Sequence, residues 1–157
     1  MATNREYCHV VLKMTNHTQQ SNISTILEIL KNEIEGDVNA ALEKMTHDYS
    51  MTWVYKRRDG VLFPSVVAQD VRAAMKDLYV IKGRHYDIRH IISSGDVVMA
   101  ELVESYPDER DPSIVYRTPM VIVWEFKDQK IRAGRHYCDP QLSYEGLTEE
   151  QVEGIFK

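Results

Sequence analysis

The sequence predicts an α+β fold, with helices gathered early in the chain and a run of long antiparallel strands after them. Three observations carry this. Apolar residues recur at helical spacing in three segments before residue 83. From His85 onward the period changes to the two-residue alternation of strands. Met120 to Asp139 then reads as a hairpin, with Met120-Val-Ile-Val-Trp-Glu-Phe and Ile131-Arg-Ala-Gly-Arg-His-Tyr-Cys-Asp139 flanking a polar Lys127-Asp-Gln-Lys turn. The three helices are expected on one face of a curved sheet.

Taken in order, residues 1–19 are ambiguous: Val10, Val11 and Leu12 suit a short strand or an anchor, and Thr15 to Gln20 reads as a loop. A helix is predicted from about Ser21, because Ile23, Ile26, Leu27, Leu30 and Ile34 form one stripe. Gly36 stops it, and Asp37 caps a second helix carrying Val38, Ala41, Leu42 and Met45. Asp48 to Tyr55 is the first strand, with Tyr49, Met51, Trp53 and Tyr55 on one side. Asp59-Gly60 marks a turn. A third helix is predicted after Pro64, capped by Ser65, with Val67, Val71, Ala74 and Leu78 as its stripe. His85–Ile92 and Val97–Tyr106 are strands around a Ser93–Asp96 turn, followed by a polar loop and the hairpin. Thr148-Glu-Glu-Gln151 matches a capping box opening a short last helix that carries Val152 and Phe156.

A chain of 157 residues, 43% hydrophobic, suits one domain with one core. The net charge of −5, with Lys56-Arg57-Arg58 as the only basic triplet, excludes a general nucleic-acid binder. Cys8 and Cys138 show no metal or disulfide spacing, so a reduced, cytoplasmic setting is expected. No apolar run reaches membrane-spanning length, and none suits the core of a secretion signal, so no membrane partner is expected. No Gly-rich phosphate loop is present, so no nucleotide cofactor is expected either.

Four further signs lie in a fixed order: Gly36-Asp37 between the first helices, Asp48 before the first strand, Ser94-Gly95-Asp96-Val97-Val98, and Trp124-Glu-Phe-Lys-Asp-Gln-Lys-Ile131 running into Arg135-His-Tyr-Cys-Asp-Pro140. In this order they resemble the nuclear transport factor 2-like superfamily, of cystatin-like architecture, and in particular its SnoaL-like branch of polyketide cyclases and relatives. The resemblance covers roughly residues 20–142, leaving 1–19 as an N-terminal extension and 143–157 as a tail with a short helix. It implies a cone-shaped antiparallel sheet packed on three helices, a deep pocket and frequent dimerisation. It does not imply one activity. The base and oxyanion positions of ketosteroid isomerases fall on Trp53, Ile29 and Ile122, which cannot serve. Limonene-type epoxide hydrolases use two carboxylates bridged by an Arg. Those positions fall on Glu104, His136 and Leu102, so only one carboxylate is kept.

Given this alignment, alternation points Gly134, His136 and Cys138 into the cone, with Met120, Ile122 and Trp124 beside them. Val98, Ala100, Leu102 and Glu104 follow on the next strand, and Met51, Trp53 and Tyr55 come from the first. A shift of one residue would turn Arg135, Tyr137 and Asp139 inward instead. His136 is the first candidate acid/base, since an ordinary imidazole gives and takes a proton near neutrality. Glu104 would orient it, or act as the base if desolvation raises its pKa. Trp53 and Trp124 would stack on a planar ligand or simply fill the core, and Tyr49 and Tyr55 would offer hydroxyls. Met51, Leu102, Met120, Ile122 and Cys138 complete the expected substrate walls, with Cys138 a packed thiol. His85 and Asp87 share a strand face and His90 takes the other, which makes no metal site. Arg135 and Asp139 read as an outward pair or a dimer contact.

The expected function is therefore a cofactor-free SnoaL-like enzyme performing acid/base chemistry on a small apolar carbonyl or polycyclic substrate. Isomerase, cyclase, lyase and hydrolase types all fit. The alternatives are a non-catalytic binding module for a small molecule and a protein-interaction domain of the same fold. Apolar residues on the outer sheet face, such as Val121 and Val123, lead to the expectation of a homodimer.

Overall fold

The computed structural model describes residues 4–54, 66–67, 81–139, 141–142 and 146–157, with the side chains of the first helix from His17 onward. α1 (Asn4–Glu35) and α2 (Val38–Glu43) precede a sheet of β1 (Met45–Trp53), β2 (Val66–Val67), β3 (His85–Ser94), β4 (Val97–Pro107), β5 (Val115–Lys127) and β6 (Lys130–Cys138); α3 (Glu149–Ile155) follows. The strand order is β2-β1-β6-β5-β4-β3 in a curved, unclosed sheet. β1 runs parallel to β6, so the sheet is antiparallel everywhere except at this one seam.

α1 is one continuous helix and begins well before Ser21, where the sequence suggested a strand or loop. No Gly or Pro interrupts residues 4–35. The Thr and Asn residues there are only weakly unfavourable in a helix, too little to break one. Its buried stripe is also rotated from the expected one. Ile26, Ile29 and Leu30 are buried while Leu27 and Ile34 are exposed. Gly36 ends the helix at φ 73°, and Asp37 N–H donates to the Asn32 carbonyl at 2.9 Å. That pairing is a glycine-terminated helix end of the Schellman type, which a residue with a Cβ would enter under strain. Asp37 then caps α2, accepting from Ala40 N–H at 3.0 Å.

Met45 does not continue α2. It opens β1 and pairs with Ile131, where its side chain is buried in the core. Val66 and Val67, expected inside a third helix, form a strand against Met51 and Ser50. Two adjacent β-branched residues favour that geometry. The remainder of the expected third helix, from Ala68 to Val80, lies outside the described residues.

The β5–β6 hairpin turns at Asp128 and Gln129, both at positive φ, as a two-residue turn matched to the strand twist requires. β3 and β4 turn at Gly95, also at positive φ. β3 contains a bulge at Arg89: Ile88 pairs with Leu102, yet His90 pairs with Glu101. The extra residue brings His90 onto the outer face with His85 and Asp87, where strict alternation would have put it inside. His90 Nδ1 lies 2.8 Å from Glu101 Oε2. Arg135 also departs from expectation: its partner is Glu125 at 2.6 Å rather than Asp139, and Arg132 joins the same carboxylate at 2.8 Å.

The core lies between α1 and the concave face of the sheet, where Ile26, Ile29 and Leu30 meet Val98, Ala100, Leu102, Ile122 and Ile131. α3 sits on the opposite, outer face. Thr148 and Gln151 form its capping box. Val152 is buried, Arg89 bonds Glu153 and lies over the Phe156 ring at 5.0 Å, and Arg117 reaches Glu149 at 3.2 Å. No described helix is long and apolar enough to cross a membrane.

Candidate functional site

Cross-strand pairing assembles the concave face. Val98, Ala100, Leu102 and Glu104 of β4 stand opposite Trp124, Ile122, Met120 and Thr118 of β5. Trp124, Ile122 and Met120 in turn stand opposite Gly134, His136 and Cys138 of β6. The parallel seam sets Met51 beside Gly134 and Trp53 beside His136. On the other edge Tyr86 pairs with Glu104 and Ile88 with Leu102. His136, Glu104, Met51, Trp53, Leu102, Met120, Ile122, Trp124 and Cys138 therefore share one face. Tyr55 lies outside the described residues. Arg135 and Tyr137 take the outer face.

Most of this surface is apolar, and its ionisable groups gather toward one end. Arg84, at the start of β3, is only 7% exposed. Its guanidinium Nε lies 2.9 Å from Glu104 Oε1, and another guanidinium nitrogen lies 3.9 Å from Glu33 Oε2. The Tyr86 hydroxyl sits between these two carboxyls, bonded to Glu33 Oε2 and 3.3 Å from Glu104 Oε1. The Glu33 and Glu104 side chains keep 19% and 17% of their area exposed. Among the described residues, two carboxyls thus stand around one Arg and one phenol.

The surroundings shift each of these groups. Burial raises the Glu104 pKa above the ordinary carboxylate value, and the opposing pull of Arg84 and Tyr86 does not cancel it. Tyr86 is pushed well above the usual phenol value by burial and by both carboxylates. His136 is lowered to about 4, first by burial and then by the Arg84 charge. Its ring is thus neutral at pH 7, where an ordinary histidine would be partly charged. Cys138 is raised to about 11 by burial and by the nearby Glu104 and Asp139 charges, which keeps it a thiol. Tyr49 is likewise raised, by burial and by Glu33.

Two aromatic contacts shape the wall. The Trp53 and His136 rings lie 6.0 Å apart at 57°, a tilted arrangement. Gly134 leaves room for Tyr49: a Cβ there would come within 2.9 Å of the Tyr49 hydroxyl oxygen and 3.7 Å of Trp124. Trp124 itself is buried in the core.

Sequence reasoning missed Arg84, Tyr86 and Glu33. Glu33 follows Ile26, Ile29 and Leu30 at the i+7 place of the same helix face, a carboxylate in an apolar stripe. Tyr86 alternates with His85 along β3, and its facing is fixed only by its pairing with Glu104. Arg84 precedes the first strand residue, and no periodic signal reaches it. Among the described residues no group of three or more His, Cys, Asp or Glu side chains could hold a metal ion. A separate cleft of about 340 Å³ lies between α3 and the outer sheet face, lined by His85, Asp87, Arg89, Val103 and Arg117 among others.

No protein-family model matches the chain, and no curated protein sequence matches it. Solved structures do match. An epoxide hydrolase of M. tuberculosis, described as LEH-like, shares 15% identity at a TM-score of 0.64, covering 88% of this chain and 96% of its own. IdmH of Streptomyces antibioticus, a candidate polyketide cyclase, shares 11% at 0.65, covering 78% and 94%. An NTF2-like protein of unknown function from Cytophaga hutchinsonii shares 10% at 0.58, covering 76% and 91%. Likeness at these identities shows the fold and not the activity: the chain shares the architecture of these structures, the NTF2-like protein among them.

Proposed function

We propose that this protein is a cofactor-free enzyme performing acid/base chemistry on a small, largely apolar, carbonyl-bearing or polycyclic substrate held against the concave face. The reaction is of isomerase, cyclase, lyase or hydrolase type. One observation carries the reading: a desolvated Glu104 carboxyl with a raised pKa stands beside Arg84 at the ionisable end of a mostly apolar face. A raised pKa makes the carboxylate a stronger base and the carboxyl slower to lose its proton. Glu104 is the proton-handling group. His136 works as a neutral ring that orients or polarises a substrate carbonyl, since a pKa of about 4 makes it a poor base at pH 7. Trp53 and Cys138, partly buried, are the wall residues open to a substrate, while Met51, Leu102, Met120, Ile122 and Trp124 stand on the same face and are buried in the core. The epoxide hydrolase and candidate cyclase among the structural neighbours lend support at the level of the fold.

The test is proton exchange. Cyclic and polycyclic ketones incubated in D2O are followed by proton NMR for loss of signal at the carbon next to the carbonyl. The natural protein accelerates exchange, and Glu104→Gln reduces the acceleration by roughly 100-fold or more. No acceleration by the natural protein, or equal acceleration by both, overturns the reading.

The same proposal includes a homodimer through the outer sheet face. Met99 and Tyr137 are exposed there, 39% and 42% respectively, near Val121 and Val123. The α3 contacts lie elsewhere, toward β3 and the start of β5. Light scattering at micromolar concentration gives twice the 18.3 kDa chain mass; a monomer mass would count against the dimer.

A further inference from the structure

The concave face does not end at Glu104. β4 and β5 pair without a register shift from Val97 and Glu125 to Pro107 and Val115. Alternation therefore puts Tyr106 and Tyr116 on the same face as Glu104 and Thr118, opposite one another and about 7 Å farther along the strands. Their rings lie 5.8 Å apart at 54°, a tilted pair, and both side chains are half-buried. With Ile81 and Pro107 they line a cleft of about 350 Å³, a volume that suits a small-molecule site. The cleft is held from two sides. The Tyr116 hydroxyl donates to Asp108 Oδ2 at 2.9 Å. Asp108 Oδ1 accepts from the Arg110 and Asp111 N–H groups at 2.8 and 2.9 Å, and the Asp108 N–H donates to the Ile114 carbonyl at 2.9 Å. On the other side Gly83, at φ 76°, packs so closely on Pro107 that a Cβ would come within 2.9 Å of its Cδ. The Arg84 N–H donates to the Ile81 carbonyl at 3.2 Å, so one short turn delivers Ile81 to the cleft and Arg84 to Glu104. The charged groups at the cleft are Lys82, Asp108, Glu109 and Arg110, two of each sign, so the lining favours no net charge. What it offers a ligand is ring and aliphatic surface.

We infer that the Tyr106–Tyr116 cleft receives the part of the substrate remote from the reacting carbonyl, an uncharged ring, and that these two tyrosines select which carbonyl compounds Glu104 meets. The packing on either side of Glu104 sets the direction. Toward the core, the next pair on the face is Leu102 and Met120, both buried. Toward the strand ends, the next pair is Tyr106 and Tyr116 with the cleft beside them. The Glu104 side chain itself is 17% exposed. A ligand that touches Glu104 therefore extends along these strands toward the tyrosines. A single-ring ketone with its carbonyl at Glu104 stops short of Tyr106, and one with a further ring reaches it. The Asp108 bond engages the hydroxyl of Tyr116 rather than its ring face, so it fixes the ring without using that surface. Tyr106 and Tyr116 are specificity-determining, not catalytic, because neither meets the reacting atoms. Placing the carbonyl at Glu104 builds on the proposed enzyme, whereas occupancy of the cleft is read from binding alone, so either can fail without the other.

The test compares two ketones, acetophenone and 4-acetylbiphenyl, which differ by one distal ring. Their affinities for the intact chain are measured by isothermal titration calorimetry. The natural protein binds 4-acetylbiphenyl roughly 10-fold more tightly. Tyr106→Leu and Tyr116→Leu each bring the two ketones to within about 3-fold of one another and leave acetophenone binding as it was. Tyr116→Phe, which keeps the ring, keeps most of the preference. A preference that survives both leucine variants, or a natural protein that binds the biphenyl ketone no more tightly, refutes the subsite. The natural protein also supplies a check that needs no variant. 4-Acetylbiphenyl moves the amide NMR signals of Tyr106, Asp108 and Tyr116, and acetophenone leaves them in place. Signals unmoved by the biphenyl ketone overturn the assignment even where a variant fails to fold. Absent proton exchange with an intact ring preference would sink the enzyme and leave the cleft standing.

Discussion

Acidification should weaken this fold through His136, and the size of the effect follows from its surroundings. An unfolded chain protonates a histidine near 6.5, whereas the folded ring accepts its proton only at about 4. Between those values the unfolded state holds one more proton than the folded state, so each step down in pH favours unfolding. By pH 4.5 the loss amounts to roughly 2–3 kcal/mol, a large part of a typical domain's stability. At an m-value of about 2 kcal/mol/M this lowers a urea midpoint by roughly 1 M. Glu104 acts in the opposite sense. Its raised pKa makes the folded state the better proton binder as pH falls through that carboxyl's range, which offsets part of the loss. The comparison is therefore between the natural protein and His136→Gln, which keep Glu104 alike and differ in whether the ring can titrate. Urea unfolding at pH 7.0 and 4.5 should show the natural protein losing about 1 M more in midpoint than the variant. Equal losses would mean that the ring is not held neutral by burial and Arg84, and the reasoning would fail.

Two further outcomes follow from the packing. Gly134→Ala should destabilise the protein by about 1–3 kcal/mol, because the added methyl meets the Tyr49 hydroxyl at 2.9 Å in a buried wall. Unfolding by urea would show it, and an unchanged midpoint would mean that Tyr49 moves aside freely. Arg84→Met should cost about 3–5 kcal/mol at pH 7 by leaving the mostly buried Glu104 without the guanidinium beside it. Part of that should return at pH 5 as the carboxyl protonates, which thermal melts at the two pH values would reveal; a flat difference would argue against an uncompensated carboxylate.

Much of the architecture was legible because it rests on local signals. Gly36-Asp37, the Asp128-Gln129 turn, the Gly95 turn and the Thr148–Gln151 capping box each act within a few residues. Strand alternation carried the concave faces of β4, β5 and β6. What could not be read depends on distant partners. The rotation of the α1 stripe is decided by which residues the sheet covers, and Leu27 and Ile34 look no less apolar than Ile29 in the sequence. Val66 and Val67 pair across the sheet with β1, a choice their helical spacing did not disclose. The bulge at Arg89 inserts one residue that no periodicity announces, and it moved His90 to the other face. For the site, Glu104 and His136 were legible as inward titratable groups. The pKa of the ring was not, since it is set by burial and by Arg84, a residue remote in sequence. Glu33 and Tyr86 were similarly hidden, because their meaning arises only where α1 crosses the start of β3.

The bulge in β3 has one more consequence. Because Arg89 is an added residue rather than one of the alternating set, its side chain was not taken from the concave face to serve the outer one. Tyr86 and Ile88 still face Glu104 and Leu102, and Ile91 still faces Ala100. Yet Arg89 binds Asp87, Glu153 and the Phe156 ring. Removing that one residue would restore a regular strand with the interior in frame, while the C-terminal helix would lose the Arg89 contacts and keep Arg117 and Val152. A single inserted residue thus gives the outer face a contact with the tail while the register of the inner face is kept.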